Sequence, residues 1–316
     1  MKQEIKIGTR SSKLALWQAN YISGELRKIF PELEVNLKEI KTKGDHITDV
    51  ALSKVGGKGL FTKEIEDALL NKEIDLAVHS LKDLPTKLPD GLKIGAVLSR
   101  ENPCDVLIIS RTIACNGSKF AELPPGSKIG TSSLRRISQL KALRSDIKYI
   151  DLRGNLDTRI RKLEEGQFDG IILAYAGVKR LGFEKKITEM FSPKEILPAI
   201  GQGSLAIEIR ENDKNIEELI LRLNDSNAYM ISIVERAFLE TLQGGCQVPI
   251  GAYSEIEKNK ITLYGLVASL DGNTIVRDSI KGKAEINGSK NLGKTLAERL
   301  LQNGADRILK EILQLS

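Results

Sequence analysis

The chain has 316 residues, 41% of them hydrophobic and 28% charged, the profile of an ordinary globular protein large enough for about two or three domains with proper cores. No apolar run is long enough to span a bilayer, and residues 1–6 lack the apolar core of a signal peptide, so a cytoplasmic protein with no membrane partner is expected. Three scattered cysteines at 104, 115 and 246 exclude a disulfide framework, while two isolated histidines and no Cys-x-x-Cys pair argue against a metal site; the formal charge of +6 is modest, so its placement matters more than its size.

Residues 5–7 alternate as a short strand, and the spacing of Leu14, Trp17, Tyr21, Ile22, Leu26 and Ile29 predicts an amphipathic helix. Between them, Gly8-Thr9-Arg10-Ser11-Ser12 is a strand-to-helix turn, where unpaired N–H groups attract anions and the Arg10 guanidinium adds to the same site. A serine that merely caps the helix is the plainer reading of the same residues. Residues 34–41 read as a second strand. The stretch 43–60 is long, polar and glycine-rich, either a flexible cover over a cleft or a surface loop. Lys58 does not complete a phosphate-binding loop, since the first glycine of that pattern is missing and Gly59 stands where Ser or Thr belongs.

A helix over 62–70 and a strand through 74–78 lead to His79-Ser80-Leu81-Lys82-Asp83-Leu84-Pro85. Polar residues at the carboxyl end of a sheet strand lie where open α/β sheets bind ligands. A hydrolase triad of His79, Ser80 and Asp83 is rejected, because adjacent strand residues point to opposite faces. Asp83 beside Lys82 reads instead as a carboxylate meeting a cationic or N–H-rich ligand, or as a surface turn pair.

Residues 92–98 form another strand, and Arg100-Glu101-Asn102-Pro103 is a polar break and candidate hinge. A second block opens with the strand 106–109. Its Gly130-Thr131-Ser132-Ser133-Leu134-Arg135-Arg136 leads into a helix and repeats the plan of residues 8–14: strand, Gly-Thr, paired serines, helix. Two similar α/β lobes with a cleft between them are therefore expected. A strand over 147–152 ends in Arg153-Gly154-Asn155, the helix after it carries Arg159, and the strand 171–174 is followed by Gly177-Val178-Lys179-Arg180. The predicted strand ends of this block thus carry Arg135, Arg136, Arg153 and Arg180, and guanidinium forks bind carboxylate or phosphate in bidentate fashion. Ordinary solvated charge is the alternative. Gly201-Gln202-Gly203-Ser204 is no dinucleotide motif, because Pro198 precedes it and a strand, not a helix, follows; it returns the chain to the first lobe and completes a two-strand hinge.

Helices over 217–223 and 228–242 deliver Gln243-Gly244-Gly245-Cys246-Gln247-Val248-Pro249. The glycines strip bulk from around Cys246 and Pro249 fixes the exit, presenting a thiol that, once deprotonated, can carry a covalent adduct; most free cysteines are instead small buried hydrophobes. Three strands over 250–256, 260–269 and 274–280, with a hairpin turn at Asp271-Gly272, and two closing helices indicate a small α+β domain. The expected domains are 1–99 with 200–222, 100–199, and 223–316.

Residues 130–136, 79–85 and 244–249 together closely resemble the hydroxymethylbilane synthase (porphobilinogen deaminase) family. Supporting matches are Thr9-Arg10 with Leu14-Ala15-Leu16-Trp17-Gln18-Ala19, Val55-Gly56-Gly57-Lys58-Gly59-Leu60-Phe61, Leu152-Arg153-Gly154-Asn155 and Leu197-Pro198-Ala199-Ile200-Gly201-Gln202-Gly203, in the family's order along the chain. Ser11-Ser12-Lys13 departs slightly from the usual form, which often has proline before the leucine. The resemblance implies two periplasmic-binding-protein-like lobes on a two-strand hinge, with a small C-terminal domain that carries the cofactor cysteine. It implies a transferase of haem and tetrapyrrole biosynthesis acting on porphobilinogen; apart from the resemblance, nothing in the sequence suggests a coiled coil or large apolar patch, and a monomer is expected. A dipyrromethane cofactor would be held by a thioether to Cys246, four porphobilinogens added head to tail with loss of ammonia, and hydroxymethylbilane freed by hydrolysis. By the same match Asp83 is catalytic. Lys82, Asp83, Thr131, Ser133, Arg135, Arg136 and Arg159 hold the cofactor, and Arg10, Ser12, Arg153, Arg180 and Gln202 bind substrate. The chemistry agrees: each pyrrole carries acetate and propionate, which need cations, and loss of ammonia leaves an electrophilic azafulvene whose coupling places positive charge that a carboxylate stabilises.

Two similar lobes on a hinge also suit a non-catalytic solute-binding module, against which the Cys246 loop and the lack of an export signal weigh. Nucleic-acid binding through the basic cleft is disfavoured, since only 4% of residues are aromatic and no recognition motif is present.

Overall fold

The computed structural model describes residues 4–43, 61–111, 113, 119–244 and 248–314. Its strands run in chain order β1 (Glu4–Thr9), β2 (Glu34–Glu39), β3 (Leu76–Ser80), β4 (Leu92–Val97), β5 (Asp105–Ile109), β6 (Lys128–Gly130) and β7 (Lys148–Ile150). There follow β8 (Gly170–Ala174), β9 (Glu189–Met190), β10 (Leu205–Arg210), β11 (Ile250–Glu257), β12 (Lys260–Ala268) and β13 (Ile275–Lys283). The chain divides into two compact units, Met1–Glu101 with Ser204–Ser232, and Asn102–Gly203 with Ile233–Ser316.

The first unit is built on a five-stranded sheet in the order β2-β1-β3-β10-β4. β1 pairs parallel with β2 and β3, and β10 runs antiparallel to β3 and β4. The helix Lys13–Ile29 buries Ala19, Ile22, Ser23 and Leu26, one stripe at helical spacing, with its apolar members against Ile5, Ile7, Leu76 and Val78. Arg27 and Lys28 in its last turn suit the negative end of the helix dipole. On the opposite face the helix Lys63–Leu70 packs Ile65, Ala68 and Leu69 against Ile74, Ala77 and Leu92. Covered on both sides, β3 has lost the polar alternation of a half-exposed strand through Leu76-Ala77-Val78.

The second unit repeats the plan in the order β7-β6-β8-β5-β9, with β6 parallel to β7 and β8 and β5 antiparallel to β8 and β9. Leu107, Ile129 and Ile172 pack with Leu140 of the helix Leu134–Leu143 on one face; Val106, Ile171 and Leu173 meet Ile160 and Val178 on the other. The same unit holds the antiparallel sheet β11-β12-β13. There the helix Ile286–Leu300 crosses the helix Ser226–Thr241 so closely that a Cβ on Gly293 would stand within 2.3 Å of the Val234 carbonyl. The β12–β13 turn needs Gly272 for two reasons: its φ is +78°, and a Cβ there would lie 2.5 Å from the Ser138 carbonyl of the helix Leu134–Leu143.

One local expectation changes, and one element goes unforeseen. Residues 175–180 are a helix, Tyr175–Arg180, so Arg180 stands at a helix C-terminus and not on a strand end. Edge strand β9 is two residues long, too short to leave a periodic signal. Among the described residues, no helix is long and apolar enough to cross a membrane.

Candidate functional site

The first unit carries a cavity of about 60 Å³ where β1 and β3 end. Arg10 and Ser12 enter from the turn after β1, Phe61 and Thr62 from the segment before the helix Lys63–Leu70, and His79, Ser80 and Asp83 from the end of β3. Ser12 caps the helix Lys13–Ile29, its Oγ accepting from the Ala15 N–H at 3.3 Å. The Arg10 guanidinium lies 4.3 Å from the Phe61 ring centroid, which fixes the cation over an aromatic face. The neighbours His79 and Ser80 leave the strand on opposite sides. Ser80 Oγ accepts from Gln18 Nε2 at 2.8 Å, while His79 Nε2 lies 3.0 Å from Glu208 Oε2, so no Ser–His dyad forms. A single helical turn, Leu81–Asp83, anchored by the Leu81 N–H donating to the Ser204 carbonyl, leaves Lys82 half-buried and Asp83 exposed at the cavity.

In the second unit the repeated turn behaves differently. Ser133 precedes the helix Leu134–Leu143 without a side-chain capping bond, and its N–H donates to Thr131 Oγ1 at 3.3 Å. Arg135 and Arg136 are turned inward and buried. Each places a guanidinium nitrogen 2.7 Å from Asp105, and each also donates to a main-chain carbonyl, Leu197 for Arg135 and Ile172 for Arg136. Burial would raise the Asp105 carboxyl, but the two guanidiniums outweigh it and hold it well below the usual carboxylate range. Buried Gln202 joins the group, donating to Asp105 Oδ1 at 2.9 Å and to the Pro103 carbonyl at 2.6 Å. Two guanidiniums against one carboxylate leave net positive charge. Arg153 pairs with Asp151 at 2.7 Å, Arg159 donates to the Gly154 carbonyl, and Arg180 donates to the Gly203 carbonyl.

Cys246, the expected cofactor anchor, lies outside the described residues, as does Lys58. The chain approaching Cys246 is described. Gln243 has φ +53°, and Gly244 is so enclosed that a Cβ would meet Leu239 and Ile250 at 2.5 Å. Sequence reasoning missed Asp105, which stands at the head of the apolar strand β5 and reads there as a boundary residue. It also missed Glu235, buried on the helix Ser226–Thr241, which accepts from the N–H groups of Gly201 and Ser254 at 2.8 Å each. No local pattern marks either one, since their partners are far away in sequence.

Residues 5–218 match the family model described as porphobilinogen deaminase, dipyromethane cofactor binding domain, and residues 229–302 match porphobilinogen deaminase, C-terminal domain. Among curated proteins, the porphobilinogen deaminase of Carboxydothermus hydrogenoformans is 56% identical over 99% of this chain and 98% of its own length. That of Chlorobium limicola is 49% identical over 99% of both. Among solved structures, the arginine-specific periplasmic binding protein STM4351 of Salmonella typhimurium aligns at TM-score 0.42 and 14% identity, over 72% of this chain and 94% of its own.

Proposed function

This chain belongs to the porphobilinogen deaminase family, and we propose from that premise how its own residues divide the work. The protein is a transferase of tetrapyrrole biosynthesis. It joins four porphobilinogens head to tail with loss of ammonia and releases hydroxymethylbilane. The residues fit a dipyrromethane cofactor, because the Asp105 cluster keeps net positive charge beside uncapped Ser133, the donor chemistry a polycarboxylate calls for. When bound through Cys246, the cofactor supplies the covalently held end from which the product grows. Lys82, Thr131, Ser133, Arg135, Arg136 and Arg159 hold its carboxylates and Asp83 its pyrrole N–H groups. Arg10, Ser12, Arg153, Arg180 and Gln202 bind and orient substrate.

Asp83 carries the chemistry in this reading. Expulsion of ammonia and carbon–carbon coupling both build positive charge on a pyrrole nitrogen, and a carboxylate held beside that nitrogen lowers the energy of the charge. Arg10, stacked on Phe61, holds a substrate carboxylate and so fixes the ring relative to Asp83. The observation that carries the proposal is the cavity that brings Arg10, Ser12 and Asp83 together at two strand ends. The Asp83→Asn variant tests it. The protein should keep its covalent adduct while turnover falls by about 100-fold or more. Wild-type turnover in that variant would remove Asp83 from the chemistry. The same reading takes the protein as a cytoplasmic monomer with the domains 1–99 with 200–222, 100–199 and 223–316, and no nucleic-acid partner; light scattering at working concentration checks the monomer.

A further inference from the structure

One polar group in the first unit has no part in the reading above. His79 on β3, Glu208 on β10 and Glu66 on the helix Lys63–Leu70 are 6%, 0% and 5% exposed. His79 Nε2 and Glu208 Oε2 are 3.0 Å apart but are not aligned as a hydrogen bond. Among the described residues, His79 Nε2, both Glu208 oxygens and Glu66 Oε1 are buried without a hydrogen-bond partner. The β10–β4 register slips between Ile207 and Glu208, a bulge of the kind that re-aims a side chain. Unpaired buried polar atoms cost about 1–3 kcal/mol each, so stability does not account for this group. Nor are the three spaced to hold a metal ion.

Nε2 of His79 is buried beside Glu208, and His79 also belongs to the lining of the cavity that holds Arg10 and Asp83. An imidazole set against a buried carboxylate, on a residue that lines a reacting cavity, is the setting in which a general base is built. Burial pushes the Glu66 carboxyl up toward its neutral form, which spares Glu208 a like-charge neighbour. The charged groups facing this site are Glu66, which Asp67 on the same helix also acts on; Glu208 from β10; Arg10 from the end of β1; and Asp83 from the turn after β3. The helix Lys13–Ile29 contributes uncharged Gln18, β4 sets Ile94 opposite Glu208, and the helix Ser226–Thr241 adds Tyr229 to the apolar cluster on that side.

We propose that His79, oriented by Glu208, is a second proton-accepting group in the Asp83 cavity, taking the proton that a pyrrole carbon gives up as it gains its new carbon–carbon bond. The inference rests on the reading of this cavity as the reacting site. The electron pair of the broken C–H bond returns to the ring and the proton passes to Nδ1. Nε2 keeps its hydrogen toward Glu208, whose charge offsets the imidazolium. The amine lost in the same turnover leaves as ammonia and collects that proton as ammonium, so His79 returns to its neutral form. Asp83 stabilises charge throughout, and the two groups divide tasks that one carboxylate would otherwise perform alone.

The chain has two histidines, so NMR of the holoenzyme gives two imidazole signals that one variant, His79→Gln, assigns. The His79 signal should respond to pH, and that response should move to lower pH in Glu208→Gln, because the lost carboxylate no longer favours the imidazolium. In the same variant the acid limb of kcat/KM should move to lower pH. His79→Gln should lower kcat by about 100-fold or more, with KM little changed. A His79 response and pH profile unmoved in Glu208→Gln, or wild-type kcat in His79→Gln, overturns the proposal. If a variant does not fold, the wild type decides alone: a His79 signal that stays in one protonation state across the acid limb of kcat/KM also overturns it. A wild type that releases no ammonia would strike the functional reading first and this inference with it, whereas wild-type ammonia release with an unmoved pH profile in Glu208→Gln would strike this inference alone.

Discussion

Asp105 shows how much one residue can settle. Its carboxylate is wholly buried and binds two guanidiniums, and breaking a buried ion group by removing one partner strands the others. Asp105→Asn should therefore cost about 3–5 kcal/mol at neutral pH, read from urea unfolding. The pH dependence has a definite sign. A carboxyl held below its unfolded value contributes stability that is full above about pH 4 and is lost as pH falls toward the lowered value. The gap between wild type and Asp105→Asn should thus narrow as pH drops from 4 toward 2, and a constant gap would contradict the ion-pair account. Sequence reasoning found Arg135 and Arg136 but not this partner. The arginines stand out at a helix start, whereas one acid ahead of Val-Leu-Ile-Ile resembles any strand boundary. The identity of the group that meets a buried charge is a tertiary fact, and here the sequence separation is about thirty residues.

At the scale of elements, the two Gly-Thr-Ser turns read alike and do not act alike. Ser12 caps its helix and Ser133 does not. The pattern predicts both helix starts correctly; which hydroxyl turns back to the helix depends on small differences in backbone angle that residue type does not encode. Glycine is easier to interpret. Gly272 combines a left-handed φ with a neighbouring carbonyl, while Gly166 has a similar φ, +77°, and open space around it. Gly166→Ala should lose only the backbone strain, about 1–2 kcal/mol, and Gly272→Ala clearly more, because its Cβ would push the hairpin turn off the helix Leu134–Leu143. Equal shifts of the urea midpoint in the two variants would show that the turn does not seat on that helix. The helix Tyr175–Arg180 escaped sequence reasoning because six residues give too little periodicity against a glycine at its centre.

For the molecule as a whole, the repeated strand–helix plan was legible because each half opens on the same motif, and the closing α+β sheet because its hairpin turn is marked by Asp-Gly. The strand order was not legible. In both five-stranded sheets the fourth strand arrives out of sequence; the strand pattern after Gly203 signals the return of β10 to the first sheet, but no local signal announces β5 in the second or the order within either sheet. The Glu66–His79–Glu208 group was hidden for the same reason, its members coming from three elements that meet only in the folded chain. The family was legible from motifs scattered over the full length, and the comparisons agree with it. Every step of the proposed reaction depends on a covalent primer at Cys246. Intact-mass spectrometry of the purified protein and its Cys246→Ser variant tests this most directly. The native chain should exceed its sequence mass by two condensed porphobilinogen units and the variant should not; a native chain at bare sequence mass, even after exposure to porphobilinogen, would contradict it.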